Sequence, residues 1–282
     1  MNPVAILTDS TSYLPETVRE QYRITVIPLS LIWDEETYAD GVDITPEEFY
    51  NRLGSSASLP STSQPSVAAF ESAFQDLLDR GKDILAILIS SGISGTVHSA
   101  QQAKKLLDTD RIRVVDSKTA GMAAGLHIIA AARAAEAGES LAACAETALN
   151  AQQQTDVVFA VDTLEYLHKG GRIGGAKRFL GSMLNIKPIL EIRDGRIEPV
   201  DQVRTHKRAL DRMIELTRDR SAEERPLRMA IMHSNVPDQA KQLQGTLEQL
   251  FSPEEIFLSE LSPVIGTHVG PGTLAIACMH GM

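Results

Sequence analysis

Cysteine is nearly absent from this chain of 282 residues, which has only Cys144 and Cys278. Both stand in apolar, helix-like or strand-like settings far apart, so two buried reduced thiols are expected rather than a disulfide. That usage fits a cytoplasmic address. No CxxC or HExxH pattern occurs and the seven histidines show no paired spacing, so neither a metal site nor a metal cofactor is expected. Long apolar runs are also missing. The most apolar segment, Met122 to Ala135, carries His127 and Arg133 and is too short to span a bilayer. The first ten residues read as a strand, not as a signal peptide. Repeats and low-complexity tracts are lacking. Positive charge is in deficit: the net charge of −10 argues against general nucleic-acid binding.

The deficit is unevenly spread. Between Lys169 and Arg212 stand eleven Lys/Arg and five Asp/Glu, a basic island in an acidic chain. Such an island suits an anionic ligand or partner.

The most informative stretch runs from Ile84 to Ala100. Six apolar residues, Ile84 to Ile89, have the length of a strand buried in a parallel sheet. Ser90 to Thr96 follows, and six of its seven residues are Ser, Gly or Thr. A helical pattern then begins, with Ala100, Ala103, Leu106 and Leu107. A strand, a polar loop and a helix start present free backbone N–H groups to a small anion outside the strand's carboxyl end.

The rest of residues 1–155 alternates in the same way. Val4–Thr8, Ile24–Ile32 and Ile112–Asp116 read as strands, with Pro28 placing the second at an edge or a bulge. Helices are expected after Leu14, after the capping box Thr45-Pro46-Glu47-Glu48, over Val67–Asp79 behind the cap Ser66, and over Ala120–Ala137 and Leu141–Gln153. The Ser/Pro-rich run from Gly54 to Pro65 reads as a long ordered loop or linker. This alternation predicts a three-layer α/β/α domain with a mostly parallel sheet.

A Gln-rich run ending near Thr155 marks an expected boundary, and 156–282 reads as a second α/β domain. Its strands are Val157–Val161, the hairpin Ile189–Val203 turned at Asp194-Gly195, and Arg228–Met232, so its sheet is mixed. Helices are expected around Lys207–Arg218 and Asp238–Leu250. A Gly/Pro loop from Pro263 to Gly272 is expected to lead into a last strand.

Three motif readings fail. Gly170 to Lys177 approaches a phosphate loop, but Arg178 stands where Ser or Thr is needed. Gly270-Pro271-Gly272-Thr273-Leu274-Ala275 fits a dinucleotide fingerprint but lies too near the end of the chain for the following helix, strand and acid. Gly92-Ile93-Ser94-Gly95 is not a nucleophile elbow, because its second glycine comes one residue early.

Four loops remain unusual together: Thr62-Ser63-Gln64-Pro65-Ser66, Ser91 to Thr96, Lys169-Gly170-Gly171-Arg172-Ile173 and Gly266 to Gly272. Their order, with Asp9-Ser10-Thr11 after the first strand and Leu184-Asn185-Ile186-Lys187-Pro188-Ile189-Leu190 before the hairpin, resembles the bacterial DegV family over essentially the whole chain. The resemblance implies one long-chain fatty acid, such as palmitate, enclosed between the two domains, with no other cofactor. It also implies a non-catalytic subunit of a fatty acid kinase system, which presents the acyl carboxylate to an ATP-binding kinase partner and touches membranes transiently. Carried over by position, Thr62 and Ser94 would bond the carboxylate, Gly95 would add its backbone N–H, and His268 would lie close behind. Arg172 would face the partner or the phosphorylated head group. The chain departs from the family pattern at His168 and in the charged run Gly174 to Arg178. The rival reading is a serine-dependent acyl-ester hydrolase using Ser94 and His268, which needs an acid behind the histidine.

Overall fold

The computed structural model describes residues 2–181, 186–221 and 225–282. The chain begins with β1 (Val4–Asp9), α1 (Glu16–Gln21) and β2 (Thr25–Ile27). Next come β3 (Ser30–Trp33), β4 (Glu36–Ala39), α2 (Pro46–Ser55), β5 (Ser61–Ser63) and α3 (Val67–Asp79). Then follow β6 (Asp83–Leu88), α4 (Thr96–Leu107), β7 (Ile112–Asp116), α5 (Met122–Glu136) and α6 (Leu141–Gln153).

Strands β2-β1-β6-β7 form a wholly parallel sheet. Its central strand β6 explains the unbroken apolar run. Ile84, Ala86 and Leu88 pack with Phe70, Phe74 and Leu77 of α3 and with Val97, Ala100 and Ala103 of α4. Leu85 and Ile87 join the cluster built on α5 and α6. A strand covered on both faces has no solvent side on which to alternate.

The run Ile24–Ile32 is not one strand. It breaks at Pro28, which has no N–H for a ladder, and Leu29 N–H turns to Ser10 Oγ at 3.1 Å. Beyond the break, β3 joins a second, antiparallel sheet in the order β4-β3-β5. The expected Ser/Pro loop therefore contains an edge strand: Thr62 pairs with Leu31. The capping box at Thr45 and Glu48 and the Ser66 cap form as the sequence predicts.

The remainder comprises β8 (Thr155–Ala160), α7 (Glu165–Lys169), β9 (Lys187–Arg193), β10 (Arg196–Val203), α8 (His206–Ser221) and β11 (Leu227–His233). It ends with α9 (Pro237–Phe251), β12 (Glu255–Glu260), α10 (Pro263–Val269) and β13 (Leu274–His280). The third sheet has the order β10-β9-β8-β13-β11-β12; only the β11–β12 pair is parallel, so it is mixed. One face of this sheet carries α8 and α9 through Met213, Leu243 and Leu247.

The expected loop from Pro263 is instead a helix. Ser262 accepts from Ile265 N–H at 3.3 Å, Pro263 occupies the first turn, and the chain leaves α10 at Gly270. Strand β12 had no expectation attached to it. Leu184 and Asn185, the start of one family motif, lie outside the described residues.

Helix α5 lies between the two large sheets and touches β1 and β6 on one side and β8, β11 and β13 on the other. Its alanines allow this close approach. One apolar cluster consequently runs from Ile6 and Leu85 through Leu126 to Phe159, Met232 and Ala277.

Candidate functional site

Strand order in the parallel sheet reverses between β1 and β6, the switch point beyond whose carboxyl ends open α/β sheets bind their ligands. Asp9 ties the two ends together, accepting from Thr11 N–H at 3.0 Å and from Ile89 N–H at 2.7 Å. Burial lifts its carboxyl above the ordinary range, against the hydrogen bonds that lower it. Ser90 and Ser91 are also committed: Ser90 Oγ donates to Gly195 O at 2.8 Å, and Ser91 bonds the Asp116 carboxylate.

Ser94 and Gly95 complete this loop. Ser94 Oγ lies 2.8 Å from Thr96 Oγ1 and accepts from Thr96 N–H at 3.3 Å, so it shapes the start of α4. Gly95 at the helix cap has the Gln64 amide over it; a side-chain atom there would lie 2.8 Å from Gln64 Nε2. The end of β5 thus meets the loop after β6.

Thr62 in β5 and His268 in the last turn of α10 come together across 206 residues of chain, with Thr62 Oγ1 2.8 Å from His268 Nε2. Burial, helped by the nearby Arg172 charge, lowers His268 to about 4, so its ring is neutral at ordinary pH. Arg172 leaves the turn after α7 and donates from Nε to Ile93 O at 3.2 Å and from Nη1 to Gly170 O at 2.8 Å.

Behind these groups is an apolar cavity walled by Phe159, Leu167, Ile192, Ile197, Met232 and Ile265, with Arg172 and His268 also on its wall. The walls come from β8, α7, β9, β10, β11 and α10, while Gly121 at the start of α5 contributes from the first half. A slot with apolar walls and a few polar groups at one edge suits an amphipathic ligand with a small polar head.

The site is braced by residues that sequence reasoning did not single out. Asp40, at the end of β4, accepts from Ser10 Oγ at 2.6 Å and from Val264 N–H at 3.3 Å, fixing the start of α10. Burial pushes its pKa up to about 6. Gly170 backs the His268 ring. The hairpin tip at Gly195 presses on the loop after β6, close enough that a side-chain atom on Gly92 would lie 2.4 Å from Gly195 O. Asp40 carried no local signal, because its partners are remote in sequence; the paired Gly170-Gly171 before Arg172 was a legible hint.

The hydrolase reading lacks its contacts. The Ser94 hydroxyl engages Thr96, the His268 Nε2 engages Thr62, and the buried Nδ1 has no hydrogen-bond partner among the described residues, so none of their acids orients the ring. Among the described residues no group of three or more His, Cys, Asp or Glu is placed to hold a metal ion. No helix among them is long and apolar enough to cross a membrane.

Comparison with known proteins matches residues 3–280 to the family model described as "Uncharacterised protein, DegV family". A DegV domain-containing protein of Listeria innocua is 37% identical over 274 residues, which are 97% of each chain. A DegV family protein from Thermus thermophilus, whose structure is described as fatty acid binding, superposes with a TM-score of 0.94 at 34% identity. The superposition covers 99% of this chain and 100% of that one. DegV from Bacillus subtilis, described as a fatty acid binding protein, superposes at 0.91 with 33% identity over 99% and 100% of the two chains.

Proposed function

The chain belongs to the DegV family, and from that premise we propose that it binds one long-chain fatty acid between residues 1–155 and 156–282. The observation that carries this reading is the apolar slot with Thr62, His268 and Arg172 gathered at one edge. The carboxylate would be held by the Thr62 and Ser94 hydroxyls and the Gly95 N–H, and the alkyl chain would lie against Phe159, Met232 and Ile265. Hydroxyls and a helix start satisfy the charge without an ion pair, leaving an oxygen able to react. Burying about fourteen methylenes at ~0.8 kcal/mol each is worth roughly 11 kcal/mol before association costs. The chain, not the head group, would carry the affinity.

The protein would act as a non-catalytic carrier for an ATP-dependent kinase partner. A carboxylate oxygen attacks the γ-phosphorus of ATP held by the partner, an O–P bond forms as the bond to the β-phosphate oxygen breaks, and ADP leaves. Arg172 at the edge of the slot would offset the charge of the acyl phosphate.

Organic extraction of the purified protein followed by mass spectrometry tests the binding. A long-chain fatty acid is expected at about one per chain; a lipid-free preparation that also refuses added palmitate would overturn the reading.

A further inference from the structure

His268 has a single ring proton at neutral pH, and which nitrogen carries it decides what Thr62 can do. Its Nδ1 is buried and has no hydrogen-bond partner among the described residues, while its Nε2 lies 2.8 Å from Thr62 Oγ1. Against Nδ1 stands Gly170, so close that a side-chain atom on it would lie 2.2 Å away. The Gly170 backbone has φ −74°, which any residue can adopt; the nearest group a side-chain atom would meet is the imidazole, with Tyr166 O next at 3.0 Å. The turn is held firmly: Gly170 N–H donates to Tyr166 O at 2.8 Å, and Gly170 O accepts from Arg172 Nη1 at 2.8 Å.

From these contacts we infer that Gly170 is a positioning residue. It holds His268 with a bare Nδ1 against a glycine Cα–H and with Nε2–H donating to Thr62, so that the Thr62 hydroxyl proton points at the ligand's carboxylate. An Nδ1–H would be an orphaned donor facing a C–H group, whereas a bare Nδ1 accepts a weak C–H contact. The two tautomers also treat an anion oppositely. With Nδ1 protonated, Thr62 must donate its only hydroxyl proton to Nε2 and turns lone pairs toward the carboxylate. With Nε2 protonated, Thr62 accepts from the ring and its own proton is free. Arg172 acts at one remove, by holding the Gly170 carbonyl. The part of the inference that concerns the ligand rests on the fatty-acid reading; the ring assignment does not.

Ring-¹⁵N NMR of the full-length labelled protein tests it, with the His268 resonances identified as those lost in His268→Gln. Between about pH 6 and 8 a protonated Nε2 and a bare Nδ1 are expected; a protonated Nδ1 overturns the inference whatever the protein binds. Gly170→Ala is expected to alter that tautomer signature and to weaken palmitate binding about tenfold, as Thr62→Val should. The double variant should bind no more weakly than either single one, because both break one hydrogen-bond relay; additive losses would overturn the role of Gly170. If Gly170→Ala does not fold, the wild-type spectrum still decides the tautomer. A wild-type protein with the expected tautomer but no affinity for palmitate overturns the fatty-acid reading and the ligand half of the inference, leaving the ring assignment standing.

Discussion

Two hydroxyls proposed to hold the head group and one buried carboxyl that braces helix α10 each have a measurable signature. Thr62→Ala with Ser94→Ala removes two hydroxyls proposed to face a charged group, where each bond is worth about 1.5–3 kcal/mol. Palmitate affinity should fall by at least about tenfold and acyl-phosphate formation with the proposed kinase partner should be lost; unchanged titration curves would take both residues out of the mechanism. Asp40 acts differently. Its folded pKa of about 6 lies above the ordinary 3.8, so the unfolded chain loses this proton first as the pH rises. Its contribution therefore turns against folding between about pH 4 and 6, and the penalty persists at pH 7, at about 3 kcal/mol or less. Urea unfolding should show Asp40→Asn gaining on the wild type as the pH rises from 4 to 7. A difference that stays constant with pH would refute this, since Asp9, raised in the same direction, is common to both proteins.

Elements decide how the slot closes. The β9–β10 hairpin gives Ile192 and Ile197 to the cavity wall and rests its tip on the loop after β6 through Ser90 and Gly195. Because a side-chain atom on Gly92 would collide with Gly195 O, Gly92→Ala should push the tip outward. Overpacking of this kind costs about 1–3 kcal/mol. Palmitate release into vesicles, followed by stopped flow, should quicken severalfold; release at the wild-type rate would mean that the hairpin does not guard the slot. Helix α10 makes the complementary contribution: it carries His268 to Thr62 and is anchored at its start by Asp40.

At the scale of the whole molecule, His127 and His233 are buried and His268 is partly buried, all three in neutral form. Burial lowers His127 to about 3, His268 to about 4, and His233 below its ordinary value as well. Below about pH 6.5 the unfolded chain takes up protons that these rings refuse, so stability should fall as the pH drops toward 4. Asp9 and Asp40 oppose this trend in both proteins, so the readout is the difference: calorimetry should show His127→Leu losing less Tm than the wild type over that window, and an equally steep slope in the variant would contradict the assignment. The basic island from Lys169 to Arg212 is the other global feature, set in a chain of net charge −10. Charge reversal at the exposed Lys177 and Lys207, neither of which lines the slot, should lower turnover by the proposed kinase partner about tenfold and leave palmitate affinity intact. Loss of palmitate affinity instead would place those charges in the lipid site.

Local chemistry made much of the molecule legible from its sequence. The six-residue apolar run of β6, the capping box of α2, the Asp194-Gly195 turn and the alternation of strands and helices each follow from neighbours a few residues apart. The family resemblance singled out Thr62, Ser94, Gly95, Arg172 and His268. Tertiary structure alone decided the rest, because it depends on partners distant along the chain. Pro28 ends a strand, but only the second sheet gives β3 somewhere to go and makes an edge strand of a Ser-rich segment. Ser262-Pro263 could start a helix, yet α10 is held by Asp40 from β4. A threonine and a histidine 206 residues apart become a hydrogen-bonded pair only when β5 and α10 are packed side by side, and burial there, not sequence, keeps that histidine neutral.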